Sequence, residues 1–137
     1  SADSGAPPPT PDAKTGAATG VPQPRPVNQK VGPLTRERLE AGRAWLEQAP
    51  DNRWFIQVLD IDAKHHAEIE TLLRRLSSSK TEIANIYVYY SELSGEPRYG
   101  VTYGDYATGA AVSAAIRKLP MPLRTSKPYP RQVVRLR

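Results

Sequence analysis

Few residues in this 137-residue chain have the types and spacings that do covalent chemistry. His65 and His66 are its only histidines. Helix neighbours point about 100° apart, so this pair cannot chelate one metal ion. The chain has no cysteine to complete a zinc site. Ser77-Ser78-Ser79-Lys80 matches the Ser-x-x-Lys string of penicillin-interacting enzymes. That chemistry needs the serine at a helix start, plus Ser-Asp-Asn and Lys-Thr-Gly elements. Here the string closes a helical pattern and both further elements are missing. Asp60 and Asp62 offer the two carboxylates of a glycosidase, but a chain this short builds no deep cleft around them, and capping suits Asp62 better. No set of nucleophile, base and orienter is present. The expectation is a non-catalytic binding module without cofactor or metal. The chemistry left is hydrogen bonding: Gln57 is the one polar residue in the run Trp54-Phe55-Ile56-Gln57-Val58-Leu59. On a sheet face its amide is a two-way donor and acceptor for a ligand.

The elements that must position Gln57 follow from periodicity. Leu39, Gly42, Trp45, Leu46 and Ala49 recur at helical spacing. Thr35 reads as the N-cap, and Leu34 with Leu39 as a hydrophobic staple. A helix over 35–48 results, stopped by Pro50. Trp54–Asp60 alternates as a strand, with Trp54, Ile56 and Val58 on one face and Phe55, Gln57 and Leu59 on the other. Asp62 reads as the cap of a helix over 63–77. Its inner side is Ala63, Ile69, Leu72, Leu73 and Leu76; Glu70, Arg74 and Arg75 point away. Ile86–Glu92 is a second strand, joined through a Ser94-Gly95 turn to a tyrosine-rich strand within Gly95–Tyr106. There Tyr99, Val101 and Tyr103 face one side and Arg98, Gly100 and Thr102 the other. Thr108 reads as the cap of a last helix carrying Val112, Ala115, Ile116 and Leu119, ended by Pro120 and Pro122. Pro130–Leu136 closes the chain as a strand.

The order β-α-β-β-α-β after one helix predicts an α+β, ferredoxin-like fold. It has a four-stranded antiparallel sheet, two helices on one face, and an extra N-terminal helix. The second face is expected to be open. On it Phe55, Gln57, Gly100 and Thr102 form a low strip, with Arg131 of the last strand added.

Composition divides the chain into a Pro/Ala/Gly-rich linker over 1–33, the extra helix over 34–50, and a binding domain over 51–137. Eight of the 14 prolines lie in the first segment, which has no aromatic residue. Such a stretch cannot bury enough surface to offset its ordering entropy. The chain starts with no signal-peptide pattern and reads as a soluble piece of something longer. From Arg98 onward eight basic residues stand against one acid, Asp105. That suits an anionic partner or surface.

Two ligand classes fit an open sheet face with an amide, hydroxyls and rings. An RNA-recognition motif has the same element order, with central-strand aromatics stacking bases. Tyr99-Gly100-Val101 matches part of its third-strand signature, but Thr102 and Gly104 replace the following valine and aromatic, and strand parity turns Tyr99 and Tyr103 towards the helices. A glycan strand is the other class: ring faces stack on CH groups while amides and hydroxyls pair with hydroxyls. A module for docking another protein, through Trp45 of the first helix, is the third reading.

Residues 53–137 resemble the SPOR domain family, bacterial modules that bind septal peptidoglycan. The resemblance lies in the aromatic and apolar-Gln-apolar run Trp54-Phe55-Ile56-Gln57-Val58. It lies also in the Gly-x-Pro-x-Tyr hairpin and Gly-x-aromatic ending between Gly95 and Tyr106. Leu119-Pro120 and Lys127-Pro128-Tyr129 complete it. It implies binding of denuded glycan strands, those stripped of stem peptides, at the division septum in the periplasm. Other cell-division proteins become possible partners, no nucleic acid is expected, and contact with the membrane comes only through an anchor outside this sequence. By position, Gln57 becomes the glycan-contacting amide, and Tyr129 stands at the site's edge where related members carry tryptophan.

Overall fold

A computed structural model describes residues 30–79 and 83–137. Most of the expected linker, and Lys80 of the Ser-x-x-Lys string, lie outside the described residues. In chain order the elements are α1 (Pro33–Gln48), β1 (Trp54–Asp62), a 3-10 turn (Ala63–His65) and α2 (His66–Ser78). They continue as β2 (Ile86–Ser91), β3 (Arg98–Tyr106), α3 (Gly109–Ile116), a short α4 (Met121–Arg124), β4 (Tyr129–Gln132) and a terminal 3-10 turn (Val133–Leu136). The strands form one antiparallel sheet in the order β2-β3-β1-β4. This is the ferredoxin-like α+β arrangement with an extra N-terminal helix. Among the described residues no helix is long and apolar enough to cross a membrane.

The main core lies between the sheet and helices α2 and α3. Ile56, Val58, Val88, Tyr99 and Val101 from the strands meet Ile69, Leu73, Leu76 and Val112 from the helices. Tyr99 is fully buried there, and its burial, with Tyr90 beside it, pushes the phenol up to about 12. The expected inward turn of Tyr99 and Tyr103 is what the register gives, since Tyr103 stands opposite Ile56. Leu123 of α4 is also buried in this core, although the prolines before it, Pro120 and Pro122, read as a plain stop.

Several local expectations are corrected. α1 begins at Pro33, whose missing N–H costs nothing in the first turn. Thr35 is therefore inside the helix and does not cap it. The free N–H groups of Leu34 and Thr35 are instead accepted by the carboxylate of Glu70 on α2, at 3.3 and 2.9 Å. Glu70, read as pointing away, is buried against α1. Asp62 caps nothing with its side chain, being drawn to Arg98. Thr108 does cap α3, accepting from the Ala111 N–H. The last strand stops at Gln132, and a 3-10 turn carries Val133 and Leu136 into a second core.

Two register irregularities in β1 and β3 decide which residues share a face. Gln57 stands opposite Thr102, but Leu59 stands opposite Val101, so β1 holds one extra residue between them. Beyond that bulge the alternation inverts. Leu59 and Ile61 turn to the helix side, where they pack on the main core. Asp60 and Asp62 join the face of Gln57, opposite Gly100 and Arg98. Strict alternation had placed Leu59 with Gln57. On β3, the second irregularity falls around Gly104, whose φ of +78° is a conformation glycine adopts cheaply.

Candidate binding face of the sheet

The six residues singled out from sequence do come together. Gln57 is paired across strands with Thr102 and Tyr129, and Phe55 with Arg131. Gly100 lies one cross-strand step further, opposite Asp60 on β1 and Tyr89 on β2. All lie on the sheet face away from α2 and α3. Tyr87 and Tyr89 belong to this face, while Tyr90 points into the main core.

The face is not open, and that expectation is corrected. α1 meets α2 at its N-terminal end through Glu70, then crosses the free edge of β2. Arg38 donates to the carbonyls of Ile83, Ala84 and Ile86. A Cβ at Gly42 would collide with the Val88 carbonyl, so only glycine lets helix and strand edge approach this closely. Past the edge, Trp45, Leu46 and Ala49 descend onto the second face and pack with Phe55, Tyr89, Val133 and Leu136. Trp45 stacks on Tyr87 at 4.8 Å between ring centroids and meets Phe55 edge-on. Its indole N–H donates to Asp105, which also accepts from Arg53 at 2.6 Å. The Arg137 guanidinium donates to the Leu46 and Ala49 carbonyls and ties the chain's end to α1. Phe55 and Thr102 are wholly buried as a result, and Gln57 is 1% exposed.

Gln57 is consequently an internal hub. Its Oε1 accepts from the Tyr89 hydroxyl at 3.1 Å and from Arg131 Nη1 at 2.9 Å. Its Nε2 donates to the Leu59 carbonyl at 2.7 Å, which fixes which end of the amide is which. Arg131 Nη1 also donates to the Tyr89 hydroxyl, and Nη2 donates to the Arg135 carbonyl. Burial pushes the Tyr89 phenol above its ordinary value despite the nearby Arg131 charge, so Tyr89 stays protonated and able to donate. Its ring lies over Gly100, where any Cβ would overlap it.

What the face presents outward is Tyr129, with 48% of its surface exposed, the outer edge of Arg131, and the Asp60–Arg98–Asp62 group. Arg98 bonds Asp60 at 2.7 Å and Asp62 at 3.1 Å, and the Asp60 bond foremost raises its pKa further. Tyr89 and the pairing of Arg98 with Asp60 and Asp62 were missed from sequence, and Trp45, read there as a docking residue, instead packs on this face. The pairing of a tyrosine with glycine across a hairpin was the available signal for Tyr89. For Asp60 and Asp62 there was none, because a bulge put them on this face.

On this face the Tyr89 and Thr102 hydroxyls donate to the Gln57 amide oxygen and the Tyr87 carbonyl. Among the described residues no group of three His, Cys, Asp or Glu side chains could hold a metal. His66 packs edge-on against Tyr99 instead. In comparisons with known proteins, no family model matches the chain, and no curated protein matches it.

Proposed function

We propose that this chain is a non-catalytic peptidoglycan-binding module that takes up glycan strands lacking stem peptides, at the bacterial division septum in the periplasm. The observation that carries the reading is the exposed Tyr129 ring on edge strand β4, two residues from Arg131 on the same face. A ring that stacks on the CH face of a sugar, beside directional donors and acceptors, is the usual make-up of a saccharide site. The resemblance of residues 53–137 to SPOR domains supports the same ligand. Because Gln57 is buried, its part is to hold Arg131 and Tyr89 in place, while Tyr129 and Arg131 make contact.

The alternatives draw less support. RNA stacking needs rings exposed on the central strands, and Phe55 of β1 and Tyr99 of β3 are both fully buried. Docking a protein through Trp45 needs a free indole, whereas this one is stacked and hydrogen-bonded within the chain. Co-sedimentation with purified sacculi tests the proposal. Binding is expected to rise after amidase treatment and to fall in Tyr129→Ala. Unchanged or weaker binding to treated sacculi would count against it.

A further inference from the structure

Arg53, Arg98 and Arg131 differ in their partners. Arg53 pairs with Asp105, and Arg98 with Asp60 and Asp62. Arg131 has no carboxylate at ion-pair distance among the described residues. Its contacts are neutral oxygens: Gln57 Oε1 at 2.9 Å, the Tyr89 hydroxyl at 3.3 Å and the Arg135 carbonyl at 3.4 Å. These contacts aim the guanidinium without neutralising it. They use Nη1 and one N–H of Nη2, and Nε–H makes no hydrogen bond among the described residues. Nε–H with the adjacent Nη2 is the fork by which a guanidinium receives a carboxylate bidentately.

The fork is held before any ligand arrives. Gln57 is locked by Leu59, and Tyr89 is wedged over Gly100. Little side-chain entropy is left to lose on binding, which is how preorganisation raises affinity. The Nη1 side is part-buried while the Nη2 side faces solvent, so a ligand anion meets a charge that water screens only partly. Tyr129 projects from the same side of β4 two residues away, a spacing of about 7 Å along a strand. One sugar ring on Tyr129 can therefore bring a substituent to Arg131.

We infer that Arg131 is a carboxylate receptor for an acidic sugar: it takes the lactyl carboxylate of a muramic acid unit whose ring lies on Tyr129. The inference rests on the glycan-binding reading and adds the chemical basis of its selectivity. In intact peptidoglycan that carboxyl is an amide to the stem peptide. Hydrolysis by a separate amidase adds water across the C–N bond, leaving a carboxylate on the sugar and an ammonium on the peptide. Selection of stripped strands is then recognition of a new charge, and not only the removal of bulk.

The test uses the full chain and three short oligosaccharides of equal length, titrated calorimetrically at low and moderate salt. One alternates N-acetylglucosamine with N-acetylmuramic acid bearing the free carboxylate. The second carries the carboxyl as its small methyl amide. The third is all N-acetylglucosamine. The free acid is expected to bind roughly tenfold tighter than the amide, with the gap narrowing as salt rises. Arg131→Gln should remove the gap, with both forms bound more weakly than by the wild-type chain, and Arg131→Lys should restore only part of it. Equal affinity of the wild-type chain for acid and amide overturns the carboxylate receptor and leaves the glycan reading standing. Binding to none of the three overturns both. Equally tight binding of a single-stranded oligonucleotide shows a general anion site and overturns selectivity for the sugar acid. The acid–amide comparison needs no variant, so a folding defect in Arg131→Gln does not blunt it.

Discussion

Gln57 places one carbonyl oxygen between two donors, Tyr89 and Arg131, and satisfies its own N–H on Leu59. Removing it strands a buried hydroxyl and half-buried guanidinium donors together. Each such loss costs about 1–3 kcal/mol, more than a surface substitution does. Gln57→Ala is therefore expected to lower unfolding stability by about 2 kcal/mol or more, read from denaturant titration, and to lose glycan binding as a consequence. Tyr129→Ala, at an exposed position, should change stability by no more than about 0.5 kcal/mol while weakening sacculus binding severalfold. The opposite pattern, a stable Gln57→Ala and an unstable Tyr129→Ala, would exchange the two roles. Residue types and parity were enough to gather Phe55, Gln57, Gly100, Thr102 and Arg131 on one face, and Tyr129 came only from the resemblance. They could not show burial, since that depends on what lies over the face. Nor could they place Asp60 and Asp62, because a bulge is decided by how two strands pair.

At the scale of elements, α1 is the part whose role was least legible. Its periodicity gave its limits, yet its apolar positions serve two surfaces, one on each side of the β2 edge. Two of the contacts that hold it can be tested separately. The first is the close crossing at Gly42, where a Cβ meets backbone that cannot yield. Gly42→Ala is expected to destabilise the chain by about 2 kcal/mol despite alanine's better helix propensity. A gain in stability would mean that the helix can ride higher on the strand. The second is Glu70. Burial alone would raise its pKa, but the hydrogen bonds from Thr35, Leu34 and Arg74 together outweigh it, and the carboxyl titrates below its ordinary value of 4.5. A carboxyl with a depressed folded-state pKa adds stability that is present above 4.5 and is lost as pH falls through the folded value. The wild-type chain should therefore lose stability more steeply than Glu70→Gln below that pH, in denaturant titrations at stepped pH. At neutral pH Glu70→Gln should be the less stable of the two. Parallel acid profiles would show that Glu70 does not hold α1.

Across the described residues, α2 and α3 cover one face of the sheet, and α1 covers one edge and part of the other face. The ferredoxin-like element order was legible because turns, caps and alternation are local. The wrapping was not, because helix 33–48 could equally have lain beside the domain. With α1 in place, the second core of Leu46, Phe55, Tyr89, Val133 and Leu136 is buried, and the outward carbonyls of Ile86 and Val88 are covered. Without it, those rings and that strand edge face water, and an uncovered apolar edge invites pairing with other chains. Burying one ring such as Phe55 is worth about 3–5 kcal/mol against alanine, comparable with much of a small domain's net stability. A chain starting at residue 51 is therefore expected to aggregate, or to elute as oligomers with weak near-ultraviolet circular dichroism, despite containing every strand. Adding a peptide of residues 30–50 in trans should recover monomer and restore the near-ultraviolet signal. A folded monomer from residue 51 alone, with the sacculus binding proposed for the full chain, would reduce α1 to an appendage and reopen the face to direct contact through Phe55 and Gln57.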